Sequence, residues 1–121
     1  MLRGDEARVK AAYEHWLRAD RWTLTLLPQY GDHPDIDARH PELGRLIAEV
    51  KGVTSSPGTD VDTAYGQLLR RMGAGVGVRY ALVVPDTALP AALRVAAEVR
   101  ARLGIEVYAV DRDGTVRHVD G

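Results

Sequence analysis

Four side chains between His33 and Gly52 have the types and spacing to do chemistry together. Asp35 and Asp37 lie two residues apart, and Glu49 and Lys51 lie two residues apart further along the chain. Two carboxylates facing one point make a hard-oxygen site suited to Mg²⁺ or Mn²⁺. The carbonyl of Val50, between Glu49 and Lys51, is a further oxygen donor. An ammonium at Lys51 could orient or deprotonate a water, or offset charge on a phosphorane-like transition state. A metal, two acids and a lysine are the parts needed to hydrolyse a phosphodiester.

Strand parity is what would bring them together. Residues 35–39, DIDAR, read as a short strand, with Asp35 and Asp37 on one face and Ile36 and Ala38 on the other. Residues 45–51, RLIAEVK, read as the next strand, with Ile47, Glu49 and Lys51 facing one way and Leu46, Ala48 and Val50 the other. The loop 40–44 joins them, so antiparallel pairing sets Asp35 within side-chain reach of Glu49. Whether Asp35 or Asp37 takes the metal depends on the register. Taken alone, Glu49 and Lys51 would also fit the solvated face of an edge strand.

The remaining elements frame this hairpin. Val9, Ala12, Tyr13, Trp16 and Leu17 form one apolar stripe of a helix over 5–19, with Asp5 and Glu6 in its first turn. Residues 22–28 read as a strand and 52–58 as a loop. A second helix spans roughly 62–72, with Asp60 or Asp62 as its cap. The run 79–85 is apolar throughout, as in a strand buried on both faces. A third helix is expected over 88–103, ended by Gly104, followed by a buried strand over 105–110 and an edge strand over 115–119. The order α-β-β-β-α-β-α-β predicts one domain over 1–121, an α/β fold with a mixed central β-sheet flanked by helices.

Composition excludes several classes. The chain has 121 residues and no cysteine, so disulfides and thiolate metal sites are out, which fits a cytoplasmic protein. A net charge of −1 argues against a non-specific nucleic-acid coater. Its basic residues are nonetheless grouped: Arg3, Arg8, Lys10, Arg18 and Arg21 near the start, and Arg70-Arg71 on the second helix, where they could hold phosphates. MLRGDEARVK carries no apolar h-region, so no secretory signal is expected, and no run approaches the roughly 18 apolar residues of a membrane span. Gly73, Gly75 and Gly77 follow a helix rather than join a strand to one, so no nucleotide cofactor is expected. His33, Asp35, Asp37 and His40 offer a second possible grouping, as a transition-metal site.

The pattern Pro34-Asp35 … Glu49-Val50-Lys51-Gly52, placed on the second and third strands of this element order, resembles the PD-(D/E)xK nuclease superfamily, nearest its Holliday-junction-resolvase and Mrr-like branches. The resemblance implies a restriction-endonuclease-like core. It also implies an Mg²⁺-dependent endonuclease acting on DNA. Asp35 and Glu49 would be metal ligands with the Val50 carbonyl, and Lys51 the catalytic lysine. Glu6 resembles the helix-borne glutamate near the metal site of those branches, and Gln67, in Tyr65-Gly66-Gln67-Leu68-Leu69-Arg70, resembles their glutamine contacting the lysine or the substrate phosphate. Asp37 would be a second ligand or the main one. Such nucleases often dimerise to cut two strands, which makes a homodimer possible. The near-neutral charge departs from the basic surface of the junction resolvases.

Overall fold

The computed structural model describes residues 4–119. Helix α1 (Gly4–Ala19) leads into β1 (Thr23–Leu24), β2 (Ile36–His40) and β3 (Gly44–Val50). Then come α2 (Pro57–Arg71), β4 (Val78–Pro85), a 3₁₀ turn (Asp86–Ala88), α3 (Leu89–Ala92), α4 (Ala97–Leu103), β5 (Ile105–Val110) and β6 (Val116–Val119). The six strands form one sheet in chain order. β1–β2, β2–β3 and β5–β6 pair antiparallel, while β3–β4 and β4–β5 are parallel. This is the mixed α/β sheet that the sequence predicts, and it is compatible with a restriction-endonuclease-like core.

Both parallel connections pass over the same face, as two right-handed crossovers stepping in one direction must. Helix α2 buries Val61, Ala64, Tyr65 and Leu68 there against Ile47, Leu82 and Val107. Helix α1 covers the opposite face with Val9, Tyr13 and Leu17. Ile36, Ala38, Leu46, Ala48 and Val50 all pack on the α1 side, so the parity division of the hairpin holds. With no phenylalanine in the chain, Tyr13, Trp16 and Tyr108 supply the aromatic packing on this side, with ring centroids 5.1–5.6 Å apart.

Against the sequence reading, β2 and β3 each shift by one residue, leaving Asp35 and Lys51 just outside the strands, and three boundaries differ by more. The expected strand over 22–28 pairs only at Thr23–Leu24. After one more bond, from the Thr25 N–H to the Asp37 carbonyl, the chain leaves the sheet and Leu26 is 97% exposed. The helix expected over 88–103 is broken between Ala92 and Ala97. Val95 turns into the α2-side core, Ala96 takes an extended conformation, and Arg100 Nε donates to the Val95 carbonyl at 3.0 Å. No helix-breaking residue marks that turn, so tertiary packing decides it. Helix α2 starts earlier than expected: Ser56 is its N-cap and Pro57 opens it. Asp60 and Asp62 are therefore not caps; Asp60 accepts a hydrogen bond from the Thr54 hydroxyl.

Candidate functional site

The β2–β3 register pairs Ile36 with Ala48 and Asp37 with Ile47. The paired register ends there, and the chain bends at Asp35. The Asp35 carboxylate still reaches the end of β3: its Oδ2 accepts the Val50 N–H at 2.7 Å, and its charge and a shared hydrogen bond act on Glu49.

β3 lies between β2 and β4. Glu49 is therefore not on a solvated edge; it is 2% exposed, under α2. Burial is the first cause that pushes its carboxyl up, to about 8; the negative charge of Asp35 and a hydrogen bond shared with it add to the rise, while Arg71 opposes it. The sequence reading named Arg71 only among the basic residues that could hold phosphates, not as a partner of Glu49. Arg71 Nε lies 3.5 Å from Glu49 Oε1 and its Nη1 3.0 Å from Asp32 Oδ1. Arg71 stands four residues after Gln67, on the same stripe of α2; its meeting with Glu49 comes from the packing of α2 over β3, which the sequence spacing does not encode.

The other predicted residues are placed as follows. Lys51 follows the last residue of β3 and is half-buried; its N–H donates to the Val83 carbonyl at 3.0 Å, which ties it to the C-terminal ends of the two central strands. Gln67 lies on α2 with its Oε1 buried and without a hydrogen-bond partner. Glu6 belongs to the first turn of α1, whose backbone packs directly on Gly52. A Cβ at Gly52 would stand 2.4 Å from the Glu6 nitrogen.

Asp37 has another commitment. Arg45 Nε and Nη2 reach its two carboxylate oxygens at 3.0 and 2.7 Å, a bidentate pair across the hairpin. The strength of that pair holds the Arg45 guanidinium above its ordinary range. His40 is buried, not an exposed turn histidine: its Nδ1 accepts the N–H groups of Glu42 and Leu43, both at 3.1 Å, and closes the hairpin turn. His33 Nδ1 is 3.0 Å from the Pro34 carbonyl. The His33–Asp35–Asp37–His40 metal grouping is therefore not assembled.

Among the described residues, no three histidine, aspartate or glutamate side chains converge as metal ligands. What converges is a pair, Asp35 and Glu49, beside Val50 at the end of β3. That donor set fits Mg²⁺, which is held by one or two carboxylates and completes its shell with water and substrate phosphate. It also fits Mn²⁺. The mutual repulsion of the two acids is what a divalent cation would relieve.

Of the basic residues, Arg3 lies outside the described residues. Arg8 pairs with Asp5 at 3.1 Å and donates to the Asp111 carbonyl at 2.8 Å, and Arg21 pairs with Glu42 at 2.9 Å. Lys10 and Arg18 line an open groove that runs to Asp35. Among the described residues no helix is long and apolar enough to cross a membrane.

No protein-family model matches the chain. No curated protein matches it either. Two solved structures share its fold over almost their whole length. One is an XisH family protein from Nostoc punctiforme, 21% identical, with a TM-score of 0.60 and 93% of this chain and 98% of that one covered. The other is an fdxN element excision controlling factor protein from Anabaena variabilis, 19% identical, with a TM-score of 0.65 and 95% and 99% covered. At such identities the likeness is one of fold.

Proposed function

We propose that the protein is a metal-dependent nuclease that hydrolyses DNA phosphodiester bonds. The observation that carries the reading is the close pair Asp35–Glu49 where the central strands end, Glu49 buried and Asp35 partly exposed, followed directly by Lys51. Two acids forced together under a helix cost stability; a site that binds a cation and a phosphate gives that cost a purpose.

Asp35, Glu49 and the Val50 carbonyl would hold Mg²⁺ or Mn²⁺. Bound there, the cation would polarise the phosphoryl oxygen and lower the pKa of a water. Lys51 would orient the attacking water or offset the charge that builds on the phosphorus. Gln67 would position Lys51 or a phosphate oxygen. Arg71 would keep the Glu49 carboxylate aimed while its second oxygen stays available. The name of one structural neighbour, an excision controlling factor, supports an action on DNA.

A second reading is a nuclease-fold protein that binds DNA or a protein partner without cutting. One observation favours it: with its carboxyl pushed up to about 8, Glu49 holds a proton at neutral pH until a cation displaces it.

The test is cleavage of plasmid, linear and branched DNA with Mg²⁺ and with Mn²⁺, by wild type and by Glu49→Ala and Lys51→Ala proteins shown to be folded by circular dichroism. Metal-dependent cutting lost in both variants is the expected result. A wild type that cuts nothing, or variants that cut equally well, would remove the nuclease reading.

A further inference from the structure

The groove that Asp35 helps to line has two unlike walls. Its cavity measures about 510 Å³. One wall is a stripe of α1 carrying Lys10, Glu14 and Arg18, each four residues from the next. Lys10 and Arg18 are thus about 12 Å apart along the helix axis, at 1.5 Å per residue. Among the described residues neither has a carboxylate partner, unlike Arg8 and Arg21 on the same helix and just beyond it. The other wall is the segment where the chain leaves the sheet, with Leu24, Leu26, Leu27 and Pro28. Leu26 is 97% exposed there, a large apolar side chain held in water.

We propose that this groove binds an unpaired polynucleotide strand, with phosphates on the Lys10–Arg18 wall and bases on the Leu26–Pro28 wall, and delivers it to Asp35. The inference rests on the nuclease reading for its direction, since Asp35 is among the residues that line the groove. The two walls carry the choice of substrate. A duplex turns its phosphates outward and stacks its bases inside, so it has nothing to offer an apolar wall facing a cationic one. A single strand offers both at once: its phosphates meet the cations while its unstacked bases cover the apolar side chains of Leu26, Leu27 and Pro28. Glu14, between the two cations, repels any phosphate set midway. It limits the backbone contacts to two separated points, in keeping with a chain whose net charge is −1.

The experiment is fluorescence anisotropy with labelled 12-mers of dT and of rU and a 12-bp DNA duplex, titrated with the full chain in EDTA at several salt concentrations, so that nothing is cut. The expected result is dT or rU binding at least tenfold tighter than duplex, the tighter of the two naming the sugar. The Lys10→Ala/Arg18→Ala double variant should weaken single-strand binding at least tenfold. It should also lower the slope of log K against log salt by about 1.4, at about 0.7 per phosphate contact on a single strand. Leu26→Ala, exposed and so without cost to the fold, should weaken it several-fold with the slope unchanged, because it removes a base contact and no charge. Arg102→Ala/Arg112→Ala, exposed cations elsewhere on the surface, is the charge-matched control. Duplex binding as tight as single strand, no binding of any probe, or a groove variant indistinguishable from the control would each overturn the proposal. The nuclease reading fails separately. A wild type that binds dT through Lys10 and Arg18 but cuts nothing with Mg²⁺ or Mn²⁺ sinks that reading and leaves the groove standing. One that cuts DNA with kcat/KM unchanged in the groove variant does the reverse.

Discussion

Arg71 Nε reaches over the end of β3 to within 3.5 Å of Glu49 Oε1, while its Nη1 holds Asp32 at 3.0 Å. Arg71 opposes the rise that burial and Asp35 impose on the Glu49 carboxyl. Its effect on stability must therefore depend on whether Glu49 is ionised. At pH 6 Glu49 is protonated and the ionic attraction is small; above about 8 it is charged and Arg71 faces a buried carboxylate. Arg71→Met should cost little at pH 6. At pH 9 it should cost about 1.5–3 kcal/mol, the range for hydrogen bonds to charged groups. Urea unfolding at the two pH values checks this, and an equal cost at both would show that Arg71 acts by packing alone.

The sign for Glu49 itself follows from its carboxyl lying near 8 in the folded chain against an ordinary 4.5. Between those values the folded state holds a proton that the unfolded state has released. Metal-free stability therefore falls as pH rises through that window. Glu49→Gln removes the titration and keeps the shape. The variant should match wild type near pH 5, exceed it by several kcal/mol at pH 9, and cut no DNA. A wild type whose unfolding midpoint does not decline between pH 5 and 9 would contradict the buried, repelled carboxylate.

A cation bound between Asp35 and Glu49 needs both ionised, so binding at neutral pH must expel the Glu49 proton. Mg²⁺ or Mn²⁺ calorimetry at pH 7, in two buffers of different ionisation enthalpy, should show about one proton released per ion. The release should vanish near pH 9.5, where affinity should be higher. Binding without proton release at pH 7 would place the ion elsewhere.

Much of this site was legible in the residue pattern. Period-two alternation in DIDAR and RLIAEVK separates the acids from Ile36, Ala38, Leu46, Ala48 and Val50, and the short turn fixes the register that brings Asp35 to the end of β3 near Glu49. The opposite charges of Asp37 and Arg45, diagonal across the hairpin on one face, were legible too, but the sequence reading gave Asp37 to a metal instead. Other features were not. Arg71 meets Glu49 only because α2 crosses back over β3, a juxtaposition that no local spacing encodes. The break between α3 and α4 and the early end of β1 depend on what the neighbouring elements leave uncovered.

Asp37 and Asp35 should then separate in function. Asp37→Ala strands the Arg45 guanidinium, three-quarters buried, without its bidentate partner. The cost should be about 1–3 kcal/mol, the penalty of an unsatisfied buried group, with Mg²⁺ affinity unchanged. Replacing both residues by leucine should recover most of that stability, since a pair removed together leaves no stranded charge. Asp35→Ala should do the opposite, keeping a folded chain and losing the metal. If Asp37→Ala abolished metal binding in folded protein, the ligand assignment would move to that residue.

Gly52 is where the hairpin meets α1, and its need for glycine comes from close approach rather than from backbone conformation. A Cβ there would stand 2.4 Å from the Glu6 nitrogen and 2.8 Å from its Cα, backbone atoms that no rotamer change can move. Gly52→Ala must push the first turn of α1 away from the residue that follows Lys51. The cost of such overpacking is about 1–3 kcal/mol, occasionally more. Gly66, inside α2 with open space where its Cβ would go, provides the contrast: Gly66→Ala should stabilise by about 0.5–1 kcal/mol through helix propensity. Urea denaturation of the two variants should therefore move the midpoint in opposite directions. A tolerated alanine at 52 would mean that α1 does not rest on the end of β3, and the placement of Glu6 there, and of Lys10 and Arg18 along the groove that Asp35 lines, would fall with it.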